Sequence, residues 1–533
     1  MLSTTTARVM WVQVRAGLRL ASLVRAPLTM AADVAEEVRD RLARREENFL
    51  QIVERLILAN PNSPFRPLLE HAGYDLPRLR QLVRARGLDA ALDQLRADGV
   101  YVQIQEFKGR APLIRGGRTF RFQDSDFANP TVRGLFSITS GGSRSRGTPV
   151  SISEENLQRN VRLRRWALER YGLVERDVLL WITSGAGFQF AIEYFLLGRM
   201  PLRWFSPVEF GTRNRRVVLQ TVRLASRRRF PMPEVVPADR AHEIARYISR
   251  VNTPRGIIVE TFPNSALRLV LAAEEAGIAL GDVAFLVTGE PLTPAKRFQI
   301  ESRGCKVLPR FGFNESGRDA LGCPHASAVD DYHVMTDAIA VRQHSRVVDQ
   351  DGTTVPAYLF TSLLPHARYV LLNTESGDYG GLEERRCGCF LDQAGLRFHI
   401  HTVRSFEKLT AEGMTYFGSS LIRLVEEVLP REFGGDSRHY QFVEAEDKQG
   451  FTRLYLLASP GVGAIDEHAL QHRILQEIGA DDTIRGPHQV TEHVWTGADT
   501  VRVLRRDPLA TMAGKVLHLH RDRGTLRPDG DPA

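Results

Sequence analysis

Three thiols and one imidazole stand in two short pairs, Cys323-Pro324-His325 and Cys387-Gly388-Cys389, 64 residues apart. Sulfur and imidazole nitrogen are the donors of a closed tetrahedral zinc site, so Cys323, His325, Cys387 and Cys389 are expected to converge on one structural Zn2+. The plain alternative is four reduced side chains in adjacent loops. Cys305 reads as a small buried hydrophobe.

A second group of segments is built from glycine, hydroxyl and acidic residues. Thr139-Ser140-Gly141-Gly142-Ser143-Arg144-Ser145-Arg146-Gly147-Thr148-Pro149 follows the strand-like stretch 134–138. Small residues there let backbone N–H groups and hydroxyls converge on phosphate oxygens, although an ordinary turn has the same composition. Val287-Thr288-Gly289-Glu290-Pro291 and Phe311-Gly312-Phe313-Asn314-Glu315-Ser316 place glycines just after strand-like runs, where backbone can approach a ligand. A ring beside a carboxylate suits a magnesium nucleotide, with Phe311 stacking on a base and Glu315 on the metal; core packing of Phe311 and Phe313 is the bland reading. Asp378, in Glu375-Ser376-Gly377-Asp378-Tyr379, has the chemistry to accept two ribose hydroxyls or to cap a turn. Arg404-Ser405-Phe406-Glu407-Lys408-Leu409 and Ala513-Gly514-Lys515-Val516 come last.

The elements that must position these groups are legible in outline. From Asp33 to about Gly99 the apolar spacing is helical, a lead-in extending to about residue 120. From Thr131 onward short apolar runs alternate with helical stretches: 178–182, 256–259 and 283–287 read as buried strands, and 265–270 as a helix. Such alternation predicts α/β layering with a largely parallel sheet. Turns after its strands, at Trp181–Phe188 and Glu260–Ser265, are candidate walls of an acyl slot. Beyond residue 404 a helix (421–429), strands (440–443 and 454–458), a helix (467–478) and a strand (490–494) form a compact α+β unit. Two domains are expected: a large one over 1–403 and a small one over 404–533.

Six individually weak segments, in this order over about residues 131–516, resemble the adenylate-forming superfamily of acyl-CoA synthetases and adenylation domains, most closely its phenylacetate–CoA ligase-like branch. The resemblance implies a large N-terminal domain of layered sheets and helices and a small, mobile C-terminal domain. It assigns Thr139, Ser140, Gly141, Gly142, Ser143, Arg146, Gly147 and Thr148 to the ATP pyrophosphate, and Gly289, Glu290 and Pro291 to adenine. Phe311 stands where the family has a stacking tyrosine, followed by Gly312. Asn314 would meet the α-phosphate, Glu315 the magnesium, Asp378 the ribose, and Arg404 a ribose or phosphate oxygen. Glu407 falls at the hinge, and Lys515 at the catalytic lysine. The implied reaction joins a small carboxylic acid to AMP with release of pyrophosphate, then passes the acyl group to a thiol, coenzyme A first in expectation. A carrier-protein thiol, an amine, or a catalytically silent binding homologue are the alternatives. Three departures stand out: the phosphate loop is long and carries arginines, Val403 replaces a glycine, and Phe406 replaces an acid.

Composition sets the boundaries. The chain has 533 residues, a net charge of +8 and 43% hydrophobic residues, globular values that argue against a fibrous or disordered protein. Only six lysines occur (Lys108, Lys296, Lys306, Lys408, Lys448 and Lys515), so a lysine in a motif position carries weight. The arginine clusters 213–216 and 227–229 lack interleaved aromatics and read as solvated faces, with no nucleic-acid partner expected. Four cysteines in so long a chain fit a reducing cytoplasm. The arginine-bearing segment 1–32 reads as an amphipathic helix or a removed leader, no membrane span is expected, and the assembly is expected to be a monomer or homodimer.

Overall fold

The computed structural model describes residues 14–15, 17–23, 33–139, 149–208, 213–226, 230–251, 253–348, 354–406, 408–411, 414–417, 421, 423–479, 494–509 and 519–521. Its centre is a twelve-stranded sheet. In chain order the strands are β1 (Asp177–Trp181), β2 (Arg203–Ser206), β3 (Pro233–Val235), β4 (Ile257–Thr261), β5 (Val283–Val287), β6 (Lys306–Phe311), β7 (Ala320–Gly322), β8 (Tyr332–Val334), β9 (Ile339–Val347), β10 (Thr354–Ser362), β11 (Thr374–Glu384) and β12 (Phe398–Ser405). Their spatial order is β9-β10-β11-β12-β8-β7-β6-β5-β4-β1-β2-β3.

The half from β3 to β6 is parallel. Here apolar runs are buried on both faces: Val178 and Leu180 join one core, while Leu179 and Trp181 join the other. That is the period of two expected of a strand sandwiched between helix layers. Helices α1 (Glu154–Arg170), α2 (Ser184–Leu196) and α3 (Pro263–Glu275) supply parts of those layers. A proline in its first turn suits α3, because that position has no helical hydrogen bond to lose.

The other half departs from the expectation of a largely parallel sheet. Every pairing from β6 through β12 to β9 is antiparallel. The physical reason is connection length. Only a few residues join β9 to β10 or β6 to β7, too few for a parallel crossover. This half also curls back, since the Phe311 ring on β6 lies 6.3 Å from that of Phe360 on β10.

The N-terminal helices, including Val34–Ala43, Arg45–Ile52 and Leu76–Ala97, are present as read and add Phe49, Val53 and Leu92 to the larger core. Residues 17–23 are helical, with Leu20 and Ala21 buried. Beyond β12, strands β13 (Tyr440–Glu446), β14 (Thr452–Ala458), β15 (Val501–Leu504) and β16 (Leu519–Arg521) form a separate sheet in the order β15-β14-β13-β16. It packs against the helix Glu467–Gly479 around Leu456, Leu470 and Trp495. The helix read over 421–429 is a π-helical turn, Leu424–Val428, running into Leu429–Phe433. The strand read over 490–494 falls outside the described residues except for Val494, which opens a helical turn.

This unit rests on the large one. Lys296, in the helix α4 (Pro294–Glu301), is fully buried and donates to Thr452 Oγ1 at 2.7 Å, with Glu446 at 3.3 Å. Among the described residues no helix is long and apolar enough to cross a membrane.

Candidate active site

The carboxyl ends of β4, β5 and β6 lie side by side, and the Gly289 and Phe311 segments leave from two of them. Gly289 has φ +81°, which favours glycine, and a β-carbon there would crowd the Phe262 ring at 3.2 Å. The Glu290 carboxylate is buried and accepts from the Asn264 N–H at 3.1 Å, in the first turn of α3 where a negative charge is favourable. Its side chain is therefore engaged with the fold, and what Gly289–Pro291 offers a ligand is backbone.

The turn after β6 is tightly determined. A β-carbon on Gly312 would meet the Gly317 carbonyl oxygen at 2.2 Å. Asp319 Oδ2 accepts from Ser316 Oγ at 2.5 Å and from the Phe313 N–H at 3.2 Å. Burial drives the Asp319 carboxyl up to about 6, against the pull of those hydrogen bonds and of Arg159 and Arg368. Arg368 donates to the Asn314 carbonyl at 3.0 Å. Glu315 is 7% exposed, and its Oε1 lies 2.5 Å from Lys108 Nζ, just beyond the short helix Ile104–Phe107. A carboxylate in that position already faces a cation. Phe311 and Phe313 are half-buried, with Phe313 5.0 Å from Phe360 and Phe311 6.2 Å from Tyr332.

Asp378 and Arg404 sit on neighbouring strands, where Tyr379 pairs with Arg404 and Asp378 with Ser405. Asp378 accepts from Ser376 Oγ at 3.1 Å. Arg404 Nη1 donates to Asp330 Oδ2 at 3.2 Å, and the same carboxylate takes the Thr402 and Val403 N–H groups. The Arg404 charge is thus tied to Asp330. Strand β10 links the two sides of the site, because its Phe360 touches the Phe311 turn and pairs with Thr374, four residues before Asp378. Thr139 pairs with Pro149, so residues 140–148 connect the two strands Phe136–Thr139 and Pro149–Ile152. That loop (Ser140, Gly141, Gly142, Ser143, Arg146, Gly147 and Thr148), Glu407 and Lys515 lie outside the described residues.

Sequence reasoning missed a buried ionic network beneath the turn. Arg164 binds Glu193 Oε2 at 2.7 Å and also binds Glu260; Arg310 binds Glu260, and Arg318 binds Glu193 at 2.8 Å. Tyr194 OH donates to Glu260 and Gln189 to Glu193, both at 2.7 Å. Burial would raise the Glu193 carboxyl, but Arg318 and Arg164 outweigh it and hold it at about 2. Glu260 and Trp181, read as possible acyl-slot walls, are interior groups, and Trp181 donates its indole N–H to the Val236 carbonyl.

The thiols do converge, with a different imidazole. His333 Nε2 lies 3.2 Å from Cys323 Sγ, 3.4 Å from Cys387 Sγ and 3.2 Å from Cys389 Sγ, with the Cys323 and Cys387 sulfurs 3.6 Å apart. A tetrahedral zinc with Zn–S of about 2.3 Å and Zn–N of about 2.0 Å sets sulfurs about 3.8 Å apart and nitrogen about 3.5 Å from sulfur. The donor set fits zinc closely. His325, the expected fourth ligand, is exposed, with its Nδ1 2.8 Å from the Cys387 carbonyl oxygen. The reason is topological: β7 and β8 are antiparallel, and Leu321 pairs with His333, which returns the later histidine to Cys323. His333 Nδ1 lies 2.6 Å from the Leu396 carbonyl, which fixes the proton there and turns the Nε2 lone pair to the thiols. Behind it, Asp331 Oδ1 is 2.7 Å from His399 Nδ1.

No protein-family model matches the chain, and no curated protein matches it. Among solved structures, o-succinylbenzoate CoA synthetase from Bacillus subtilis, bound with its product analogue, is similar at TM-score 0.39 and 12% identity, over 72% of this chain and 68% of that one. The anthranilate CoA ligase AuaEII, in complex with anthranoyl-AMP, gives TM-score 0.32 and 13% identity over 71% and 65% of the two chains. An AMP-forming acyl-CoA synthetase/AMP-acid ligase II-like protein from Dyadobacter fermentans gives 0.28 and 15% over 72% and 87%.

Proposed function

We propose that the chain is an AMP-forming acid–thiol ligase of the phenylacetate–CoA ligase-like kind, activating a small carboxylic acid with ATP and passing the acyl group to coenzyme A. The observation that supports this most is the Phe311–Glu315 turn, at the carboxyl edge of β6 beside the Gly289 turn, with a buried carboxylate already matched to a cation. Crevices at that edge of a parallel sheet are where ligands bind.

In the proposed reaction a substrate carboxylate oxygen attacks the α-phosphorus of ATP, forming the acyl-adenylate as the bond to pyrophosphate breaks. The thiol sulfur then attacks the acyl carbon, its proton leaves to solvent, and AMP departs. Two anions meet in the first step, so positioning and neutralisation of charge carry the rate. Residues 139–148 cradle the pyrophosphate, the outer face of Phe311 takes the base, and Asp378 accepts the ribose hydroxyls. Arg404 steers a ribose or phosphate oxygen. Glu315 would hold Mg2+, a cation that usually takes one or two carboxylates and completes its shell with phosphates and water, and which neutralises phosphate charge when bound. Lys515 bridges carboxylate and α-phosphate in the first half-reaction, then withdraws as the small domain turns about Glu407. Cys323, His333, Cys387 and Cys389 would hold a structural zinc, which would supply a cross-link between the chain after β7 and the segment before β12. A cytoplasmic setting suits these reduced thiols.

The test is acid-dependent ATP–pyrophosphate exchange, run over aromatic, fatty and amino acids, followed by acyl transfer to coenzyme A, a carrier thiol or an amine. Exchange with at least one acid is expected, and none with any acid sinks the reading. The Lys108–Glu315 pair favours a second reading, a silent binding homologue in which the lysine has taken the metal's place. Nucleotide binding without exchange would select it.

A further inference from the structure

Behind the Phe311–Glu315 turn lies a small cavity walled by α1 and by the segments 316–319 and 362–368. Its volume is about 30 Å³. Three guanidinium groups line it, those of Arg159, Arg318 and Arg368, against one carboxylate, that of Asp319. Arg318 is matched by Glu193, and Arg368 donates to the Asn314 carbonyl. Arg159 is different. It is 9% exposed, and its Nε and Nη2 find no acceptor among the described residues. A buried cation whose donors are unanswered is strongly disfavoured unless something pairs with it. Water would answer the N–H groups and leave the charge; an oxyanion answers both, and a guanidinium fork is shaped to hold one. Ser316, Gly317 and Ala367 in its wall are half-buried.

We propose that this cavity binds a small inorganic oxyanion of the phosphate or sulfate class, held by Arg159 and Arg368. The carboxylates of Asp337 and Asp319 offset part of the Arg159 charge, yet neither accepts from its Nε or Nη2. Asp319 is committed to Ser316 and to the Phe313 N–H, and Asp337 to Arg41. The remaining polar side chains are Asn156, which donates to the His366 carbonyl, Asn160, which donates to Glu193, and Ser362, which donates to the Tyr369 carbonyl. Because Arg368 also grips the Asn314 carbonyl, an occupied cavity would stiffen the turn that carries Glu315, whatever reaction that turn serves. The site is independent of acid activation.

The experiment is calorimetric titration of the full chain, free of nucleotide, with inorganic phosphate at constant ionic strength set by chloride. One saturable site is expected. Arg159→Gln should weaken it at least tenfold, the loss of one charged hydrogen-bonding group. Arg368→Lys, which keeps the charge and removes the fork, gives a second variant with less risk to the fold and should weaken it as well. Wild-type protein without a saturable phosphate site overturns the proposal. So does binding left intact in both folded variants, which would put the phosphate elsewhere. An equal response to added chloride refutes the oxyanion assignment.

Discussion

Replacing His333 should release zinc from this protein, and replacing His325 should not. The two histidines are eight residues apart, yet only His333 brings a ring nitrogen within 3.4 Å of all three sulfurs. The stabilisation at stake follows from what the metal joins. Cys323 and Cys387 are 64 residues apart in sequence, and a cross-link closing a loop of that size stabilises by about 4 kcal/mol in the chain-entropy model. Spread over a cooperative unit of about 400 residues, that is a fall of roughly 5 °C in melting temperature. The assay is elemental analysis of protein purified without chelator, paired with melting curves. Wild type and His325→Ala should each carry about one zinc per chain, and His333→Ala almost none. His333→Cys supplies a fourth thiolate and should restore the metal, which separates loss of a ligand from loss of packing. Zinc-free wild type refutes the site. Zinc lost with His325 and kept without His333 refutes the geometry.

Lys515→Ala should lower acyl-adenylate formation by about 10²- to 10³-fold and leave transfer from preformed acyl-adenylate nearly intact; equal loss in both half-reactions would count against a lysine that serves only the first. Asp319→Asn should remove a pH dependence. The folded carboxyl titrates at about 6 and the unfolded one near 3.8, so the folded state binds the extra proton between them, and stability falls as pH rises through that window. Relative to wild type, the asparagine variant should therefore gain about 2 kcal/mol between pH 4.5 and 7 in denaturant titrations in phosphate-free buffer, whereas parallel curves would deny the shift. Gly312→Ala forces a β-carbon against the Gly317 carbonyl and should cost about 1–3 kcal/mol, with nucleotide binding, followed by calorimetry, falling more than global stability. Arg164→Met leaves Glu193 and Glu260 with one arginine each and should destabilise by about 3–5 kcal/mol, measured by unfolding; a neutral effect would mean the network is dispensable.

Three strands of the parallel half, Asp177–Trp181, Ile257–Thr261 and Val283–Val287, were legible because they are short apolar runs buried on both faces. The antiparallel half hid for identifiable reasons. Strands Ala320–Gly322 and Tyr332–Val334 are three residues each, below what alternation can reveal. Thr374–Glu384 reads as a turn, with its glycines, serine and aspartate, yet is an eleven-residue strand. Its flanking strands impose the extended form that its own residues do not favour. The zinc ligands show the same limit. Adjacency along the chain pointed to His325, whereas the donor that converges is the one a hairpin returns. An aromatic-histidine pair ten residues past Cys323, in Tyr332-His333-Val334, was the available signal. The arginine excess was equally opaque, since composition cannot tell a solvated guanidinium from one buried beside two glutamates.

Those buried arginines bear directly on the candidate site. Arg310 immediately precedes the Phe311 turn and Arg318 closes it; the first is anchored on Glu260 and the second on Glu193. Arg164 joins the two carboxylates from α1, so both ends of the turn hang from one ionic frame. Glu193 belongs to α2 and Glu260 to β4, which makes the frame a bolt through helix layer and sheet. A turn that must hold a carboxylate and an aromatic ring to a fraction of an ångström needs such support, because glycines at 312 and 317 remove side-chain packing from the loop itself. Low interior polarity strengthens each ion pair and penalises any broken one, so the frame favours a single arrangement over several near-equal ones. The same polarity leaves Arg159, five residues before Arg164 on α1, with a charge that the frame does not answer.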